Sequence, residues 1–252
     1  MVYVIIKKNS IKALLALLVL ASLLTVAVSF TQGSAVMLGL PTLKSMPINS
    51  VGTLENKVAI AISVDGDSDS INDTLKVLSD YEIPVTMFVS STWAETNTDS
   101  MDGIVASGVE VGLKSDDLSI SKMHADKAAN LMQEWITTLN SLVDQNIKLY
   151  DAVSSGFNKS FLNTVSSLGL QAIGNDIDYT SVDDAQSIAS TTMKQARDGS
   201  IVSLNMADNN IVETLPLVIT GLVSKGYELV PVGDLVLDSD YTIDSDGRQW
   251  AV

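Results

Sequence analysis

Short apolar runs alternate with amphipathic stretches from Lys57 to Val230, and this alternation constrains the fold more than any other feature. The apolar runs predict strands at 58–64, 84–90, 109–113, 149–153, 170–174, 200–204 and 227–230. The intervening stretches predict helices at 71–78, 126–142, 159–168, 183–197 and 211–224. Because Pro216 lies within the last of these, we expect that helix to end or kink there. Strands separated by helices imply an α/β fold with a parallel sheet, either open or closed into a barrel.

Composition excludes several classes of function. The chain of 252 residues has no cysteine and a single histidine, His124, which we place at the start of a helix. Thiolate metal sites, disulfide scaffolds and sites built from several imidazoles are therefore excluded. The formal net charge of −15 argues against nucleic acid as a partner, because binding to the phosphate backbone needs clustered Lys and Arg.

The N-terminal segment predicts export. Residues 13–30 are uncharged and apolar, and Lys7, Lys8 and Lys12 precede them. This pattern predicts a single membrane-spanning helix with the remainder of the chain outside the cytoplasm. The alternative is a secreted protein whose signal peptide is cleaved after residues 27–29 or 33–35. After this segment we expect a linker at 31–56, one folded domain at 57–236 and a solvated acidic tail at 237–252.

Several short motifs occur in an order that resembles the NodB-homology polysaccharide deacetylases, carbohydrate esterase family 4. Residues 57–65 (KVAIAISVD) resemble the first strand of that family, which ends in T-F-D-D-G. Further resemblances follow at 83–89, 108–112, 175–178, 199–202 and 221–232. The membrane segment and linker are similar to those of a membrane-anchored branch of the family associated with sporulation.

The resemblance implies a distorted (β/α)7-type barrel with its site at the carboxyl ends of the strands. In active members one aspartate serves as the general base for hydrolysis of an acetamide C–N bond. A second aspartate and two histidines hold a divalent metal, usually zinc. A motif R-P-P-Y-G supplies an arginine that orients the base, and a late histidine acts as the general acid.

Aligned position by position, this chain retains little of that site. Asp65 matches the general base, but Gly66 stands where the metal-binding aspartate belongs, followed by Asp67. The remaining positions are also substituted: the two metal histidines fall on Lys114 and on Leu118 (or Asp117), the arginine on Asp151 and the late histidine on Asn205. Because an ammonium group has no lone pair to donate, we predict that no metal binds.

The substitutions lead to three hypotheses. The first is a non-hydrolytic, membrane-anchored module that binds glycan or assembles with other proteins at the cell envelope, with Lys114 taking the place of the metal and pairing with Asp65 or Asp67. The second is an active deacetylase whose zinc site is rebuilt from Asp65, Asp67 and Asp117, with Asp116 as a further carboxylate. The third is a structural partner of an envelope protein that makes no contact with glycan. We also expect Asp151 to be a loop residue that replaced the arginine.

Overall fold

A computed structural model describes residues 46–65, 68–177, 184–207 and 210–252, which belong to one compact unit. The predicted membrane segment at 13–30 lies outside these ranges, as do Gly66 and Asp67. Within the described ranges, no helix combines the length and apolar character that crossing a membrane requires.

A curled parallel sheet forms the centre of the fold, as the strand–helix alternation predicts. Its strands are β2 (Lys57–Ser63), β3 (Thr86–Val89), β4 (Glu110–Leu113), β5 (Leu149–Asp151), β6 (Gln171–Ile173), β7 (Ile201–Asn205) and β8 (Glu228–Val230). The order across the sheet is β6-β5-β4-β3-β2-β7, and β8 pairs with the first half of β2. The central strand β2 thus contacts three others, and all these pairs are parallel.

The two faces of the sheet bury separate apolar cores. Along β2, Val58, Ile60 and Ile62 belong to the larger core, which the helices cover. Ala59 and Ala61 point the other way, into a smaller core enclosed by the curl of the sheet. Because side chains alternate along a strand, the inward-facing series of β2 continues through Ser63. The sequence pattern of β2 therefore directs polar groups to the carboxyl end of the inner face.

Helices connect the strands and cover the outer face. They are α1 (Ser68–Tyr81), α2 (Ser91–Thr96), α3 (Thr98–Ser107), α4 (Ala125–Leu142), α5 (Ala152–Ser155), α6 (Lys159–Ser167), α7 (Ala185–Gln195), α8 (Ile211–Ser224) and α9 (Val232–Leu235). A 3-10 turn at Ile120–Lys122 precedes α4. Helices α2 and α3 were not predicted, because their Ser/Thr-rich sequences have weak helical periodicity.

Helix α8 continues through Pro216, so it does not end there, which was one of the two expected outcomes. Proline removes one backbone hydrogen bond from a helix interior. Here Leu215, Val218 and Ile219 are buried on the side that faces the core, and this packing holds the helix together.

Both ends of the described chain differ from the sequence interpretation. Within the predicted linker, β1 (Ser50–Val51) pairs with β10 (Arg248–Ala251), which in turn pairs with β9 (Tyr241–Ile243). The predicted tail therefore forms two strands of a small sheet instead of a solvated end. The buried Gln249 side chain accepts a hydrogen bond from Leu237 N (2.8 Å) and donates one to Leu237 O (2.8 Å). The acidic composition of residues 237–252 does not reveal the backbone pairing of β9 and β10, because that pairing depends on main-chain groups.

The main sheet is a half-barrel, because its end strands β6 and β7 do not pair as a ladder. Irregular segments fill the space between them: Asp176 N donates to Ile201 O at 3.1 Å, and Ile48 bridges to Ile173. The side chain of Asp176 accepts hydrogen bonds from Arg197 (Nη2, 2.7 Å) and from Ser200 (Oγ, 2.6 Å). The distortion of the predicted barrel is localised to this seam.

Candidate functional site

A buried lysine and a half-exposed aspartate form the centre of the candidate site. Lys114 directly follows β4, and Asp65 lies two residues beyond β2. The Nζ atom of Lys114 is hydrogen-bonded to Asp65 Oδ2 and lies 3.3 Å from Val64 O. The lysine side chain is 7% exposed and the aspartate side chain 44%. The pairing of Lys114 with Asp65, one of the two predicted from sequence, is therefore present.

The residues at this position do not fit the divalent metal that the family pattern implies. Zinc needs imidazole, thiolate or carboxylate ligands, and it is repelled by a neighbouring cation. Lys114 presents a cation directly against Asp65. No group of three or more His, Cys, Asp or Glu side chains within the described ranges is arranged to hold a metal.

Asp151 stands where the family has its arginine, and it is the last residue of β5 rather than a loop residue. Its carboxylate is buried and accepts hydrogen bonds from Val153 N (2.9 Å), Ser63 Oγ (3.3 Å) and Ser154 Oγ. The first of these caps α5. The expectation of a loop residue is wrong because the chain passes directly from β5 into this capped helical turn. A cation that would orient Asp65 is replaced here by an anion.

The β4–α4 connection carries Asp116, Asp117 and Leu118. Asp116 accepts hydrogen bonds from Ser91 Oγ (2.5 Å) and Thr92 N (2.9 Å), at the start of α2. Asp117 Oδ1 accepts from the hydroxyl and the backbone N–H of Ser119, each at 2.7 Å. These hydrogen bonds lower the pKa of Asp117 below its ordinary value. Leu118 is exposed and has no atom that could bind a metal, whereas the Asp117 carboxylate is engaged by Ser119.

Asn205, at the position of the late histidine, and His124 complete the set of residues that the sequence singled out. Asn205 ends β7 beside Ser63 of β2, and its side chain accepts a hydrogen bond from Ala207 N at 2.8 Å. An amide in this environment has no proton to transfer as a general acid at neutral pH. His124 is exposed and immediately precedes α4, as its sequence context predicts.

Sequence reasoning missed two features of the site. The first is a set of serines that donate hydrogen bonds to the carboxylates, and the second is a group of exposed apolar side chains. Ser63, Ser91 and Ser154 donate to Asp151 or Asp116. Period-two alternation along β2 was the signal that could have identified Ser63. Three exposed apolar side chains form what we call the apolar rim: Leu118, Val153 and Phe157.

The rim residues lie on two connections, after β4 and after β5, that are tied together. Ser121 Oγ donates to Ser155 O at 3.0 Å, and Asn158 Nδ2 donates to Ser121 O. Ser155 Oγ is 2.6 Å from the hydroxyl of the buried Tyr150, whose pKa burial raises to about 12. A hydrogen-bonded network thus ties together the two connections that carry the rim residues.

Comparison with known families agrees with this arrangement. Residues 53–173 match the family model described as "Polysaccharide deacetylase". A bifunctional xylanase/deacetylase of Pseudobutyrivibrio xylanivorans is 24% identical over 213 residues, which cover 82% of this chain. The chain spans only 35% of the length of that relative.

Solved structures share the fold. BA3943 of Bacillus anthracis, a CE4 family pseudoenzyme, has a TM-score of 0.70 at 18% identity, covering 78% of this chain and 72% of that chain. PdaA of Bacillus subtilis, a family 4 carbohydrate esterase, has a TM-score of 0.67 at 17% identity, covering 75% and 84%. The match of residues 53–173 to this family model supports a NodB-homology polysaccharide deacetylase domain in this part of the chain, and the solved structures share its curled parallel-sheet fold.

Proposed function

We propose that this protein is a non-hydrolytic member of the polysaccharide deacetylase family that binds glycan at the cell envelope. The observation that carries the proposal is the Lys114–Asp65 pair. It replaces an electrophilic metal with a cation that is already hydrogen-bonded to the only retained carboxylate of the catalytic set. A deacetylase needs its metal to polarise the acetamide carbonyl and to activate water, and an ammonium paired in this way supplies neither function.

Two further observations support the loss of hydrolysis. Asp151 places a carboxylate in the position of the orienting arginine, and Asn205 stands in the position of the general acid. Loss of general acid–base groups alone lowers a rate by about 10²–10⁴-fold. Glycan remains the favoured ligand because one structural neighbour is named as a peptidoglycan N-acetylglucosamine deacetylase, with a TM-score of 0.69.

The location we propose is the outer side of the cell membrane, with residues 13–30 as the anchor. Support comes from the three lysines that precede this apolar segment, since positive charges favour the cytoplasmic side. The resemblance to the membrane-anchored branch of the family further supports a role during sporulation, as a binding or assembly module.

Two assays on the full chain, purified in detergent, test this function. The first measures acetate release from N-acetylglucosamine oligomers and from peptidoglycan fragments, with added zinc and with chelator. The second measures retention on insoluble peptidoglycan and on chitin. We expect no acetate release in any condition and measurable retention on at least one polymer, with Asp238→Asn as a control outside the site.

The two assays separate the alternatives. Acetate release that chelator abolishes would show a rebuilt metal site and overturn the proposal. Absence of both release and retention, from protein with a cooperative melting transition, would instead favour a partner of another envelope protein. Retention without release is the result we expect.

A further inference from the structure

We propose that the site prefers a glycan with free, protonated amino groups over the N-acetylated form of the same glycan. This inference rests on the proposed function, since it names the glycan that the same site binds. It depends on the balance of charge at the carboxyl ends of β2 to β5, on the atoms left available there and on the apolar rim.

Among the described residues at the carboxyl ends of β2 to β5, four aspartate side chains accompany the ammonium of Lys114, and Lys127 of α4 acts on one of them. Lys114 is paired with Asp65, whereas Asp116, Asp117 and Asp151 are hydrogen-bonded by hydroxyl and backbone N–H groups that carry no charge. Lys127 exerts a Coulombic effect on Asp117, the smallest of the influences on its pKa. The site therefore has an excess of negative charge, which attracts a protonated amine and is indifferent to a neutral acetamide.

The available atoms at the centre are acceptors. Within the part of the chain that the structure describes, Lys114 bonds Oδ2 of Asp65, and no hydrogen bond is made to Oδ1 of this half-exposed carboxylate. The ammonium of Lys114 is buried and already serves Asp65 and Val64 O. Two of the three N–H donors of Lys114 are already used, and burial of this ammonium restricts the approach of an acetamide carbonyl, whereas a ligand ammonium can reach the half-exposed carboxylate of Asp65.

The apolar rim favours a sugar over a simple amine. Leu118, Val153 and Phe157 are 65%, 51% and 41% exposed. The two connections that carry them are held together by the Ser121–Ser155 hydrogen bond. The C–H face of a pyranose ring packs on such a surface while its polar groups face the carboxylates.

Binding of three defined probes to the full chain in detergent tests this preference. The probes are a glucosamine tetramer, the matching N-acetylglucosamine tetramer and spermidine, each measured by calorimetry at fixed ionic strength and at a mildly acidic pH, where the sugar amino groups are protonated and the aspartates remain ionised. We expect the glucosamine tetramer to bind more tightly than the other two. Tighter or equal binding of the N-acetylated tetramer would overturn the preference while leaving the proposed function intact. Absence of binding by both tetramers would contradict the proposed function itself.

Three variants separate charge from shape. Asp117→Asn removes one charge and retains the acceptor for Ser119, so we expect about a two- to five-fold loss of affinity for the glucosamine tetramer. Asp238→Asn makes the same change of charge near the amino-terminal ends of the strands, beside Gln171, and should leave affinity unchanged. Phe157→Ala should weaken the glucosamine tetramer about two- to ten-fold without weakening spermidine. Equal effects of Asp117→Asn and Asp238→Asn, or spermidine binding as tight as that of the tetramer, would overturn the inference.

Discussion

Lys114 and Asp65 meet across the end of β3, although their own strands, β4 and β2, are not neighbours in the sheet. The two partners differ in environment, because the lysine side chain is 7% exposed and the aspartate side chain 44%. Removal of one partner is therefore not equivalent to removal of the other. The buried ammonium of Lys114 needs the carboxylate as its counter-charge. The carboxylate of Asp65 is partly exposed, so solvent can stabilise its charge when the lysine is removed.

This asymmetry predicts the outcome of a double-mutant cycle. We expect Asp65→Asn to lower the free energy of unfolding by about 1–3 kcal/mol, because it leaves a buried ammonium without its counter-charge. Lys114→Met keeps the apolar stem and should cost less than about 1 kcal/mol. The double variant should be more stable than Asp65→Asn alone, as measured by urea unfolding. Equal effects of the two single variants would contradict the asymmetry.

Zinc and chelator should leave the melting temperature unchanged. A site whose Kd for zinc lies 100-fold below the added zinc concentration would stabilise the protein by about 2.7 kcal/mol. Because Lys114 lies at the position of a metal ligand, we expect no such shift in differential scanning calorimetry with 100 µM zinc (about 100-fold above a micromolar Kd). A rise that Asp65→Asn abolishes would show that the site does hold the metal.

Tyr150 makes stability depend on pH in the alkaline range. Burial raises the pKa of its phenol from 10.0 to about 12, so the folded state favours the neutral form. Its contribution is fully present below the unfolded pKa and is lost as the pH rises through the folded pKa. From pH 10 to 12 the free energy of unfolding should fall by up to about 3 kcal/mol more in the parent than in Tyr150→Phe. Parallel pH profiles would disprove this assignment.

Two glycine-to-alanine substitutions should change the stability of the protein in opposite directions. A Cβ at Gly112 would lie 2.4 Å from the Phe88 ring in the inner core, so Gly112→Ala should destabilise the protein by about 1–3 kcal/mol. In α3, a Cβ at Gly103 would have an ordinary contact of 3.5 Å with Leu75. Gly103→Ala should stabilise by about 0.4–1 kcal/mol. Thermal unfolding of both variants checks the close packing of β3 against β4.

Gln249 should be important for stability although it lies near the C-terminus. Gln249→Ala removes both hydrogen bonds to the backbone of Leu237 in a buried position, which should cost about 1–3 kcal/mol. Gln186→Ala changes an exposed glutamine in α7 and should shift stability by less than about 0.5 kcal/mol. A neutral result for Gln249→Ala would mean that the small sheet contributes little to the fold.

The sequence predicted the α/β class and the strands of the parallel sheet because these depend on local properties. Apolar periodicity reports which face of a strand or helix is buried, and it placed β2 to within a residue at each end. The order of the motifs, read as a resemblance, singled out Asp65 and Lys114, and the structure brings these two residues together. That no metal binds there stays a prediction, based on the chemistry of an ammonium group.

Contacts between distant parts of the chain were decided only in the tertiary structure. The pairing of Lys114 with Asp65, and the formation of strands by residues 241–251 instead of a tail, depended on partners far away in sequence. Periodicity also did not distinguish an open sheet from a barrel, since the seam between β6 and β7 is made by irregular segments. The physical reason is that hydrogen bonds and ion pairs require specific atoms to meet in space, which a pattern along one strand or helix does not encode.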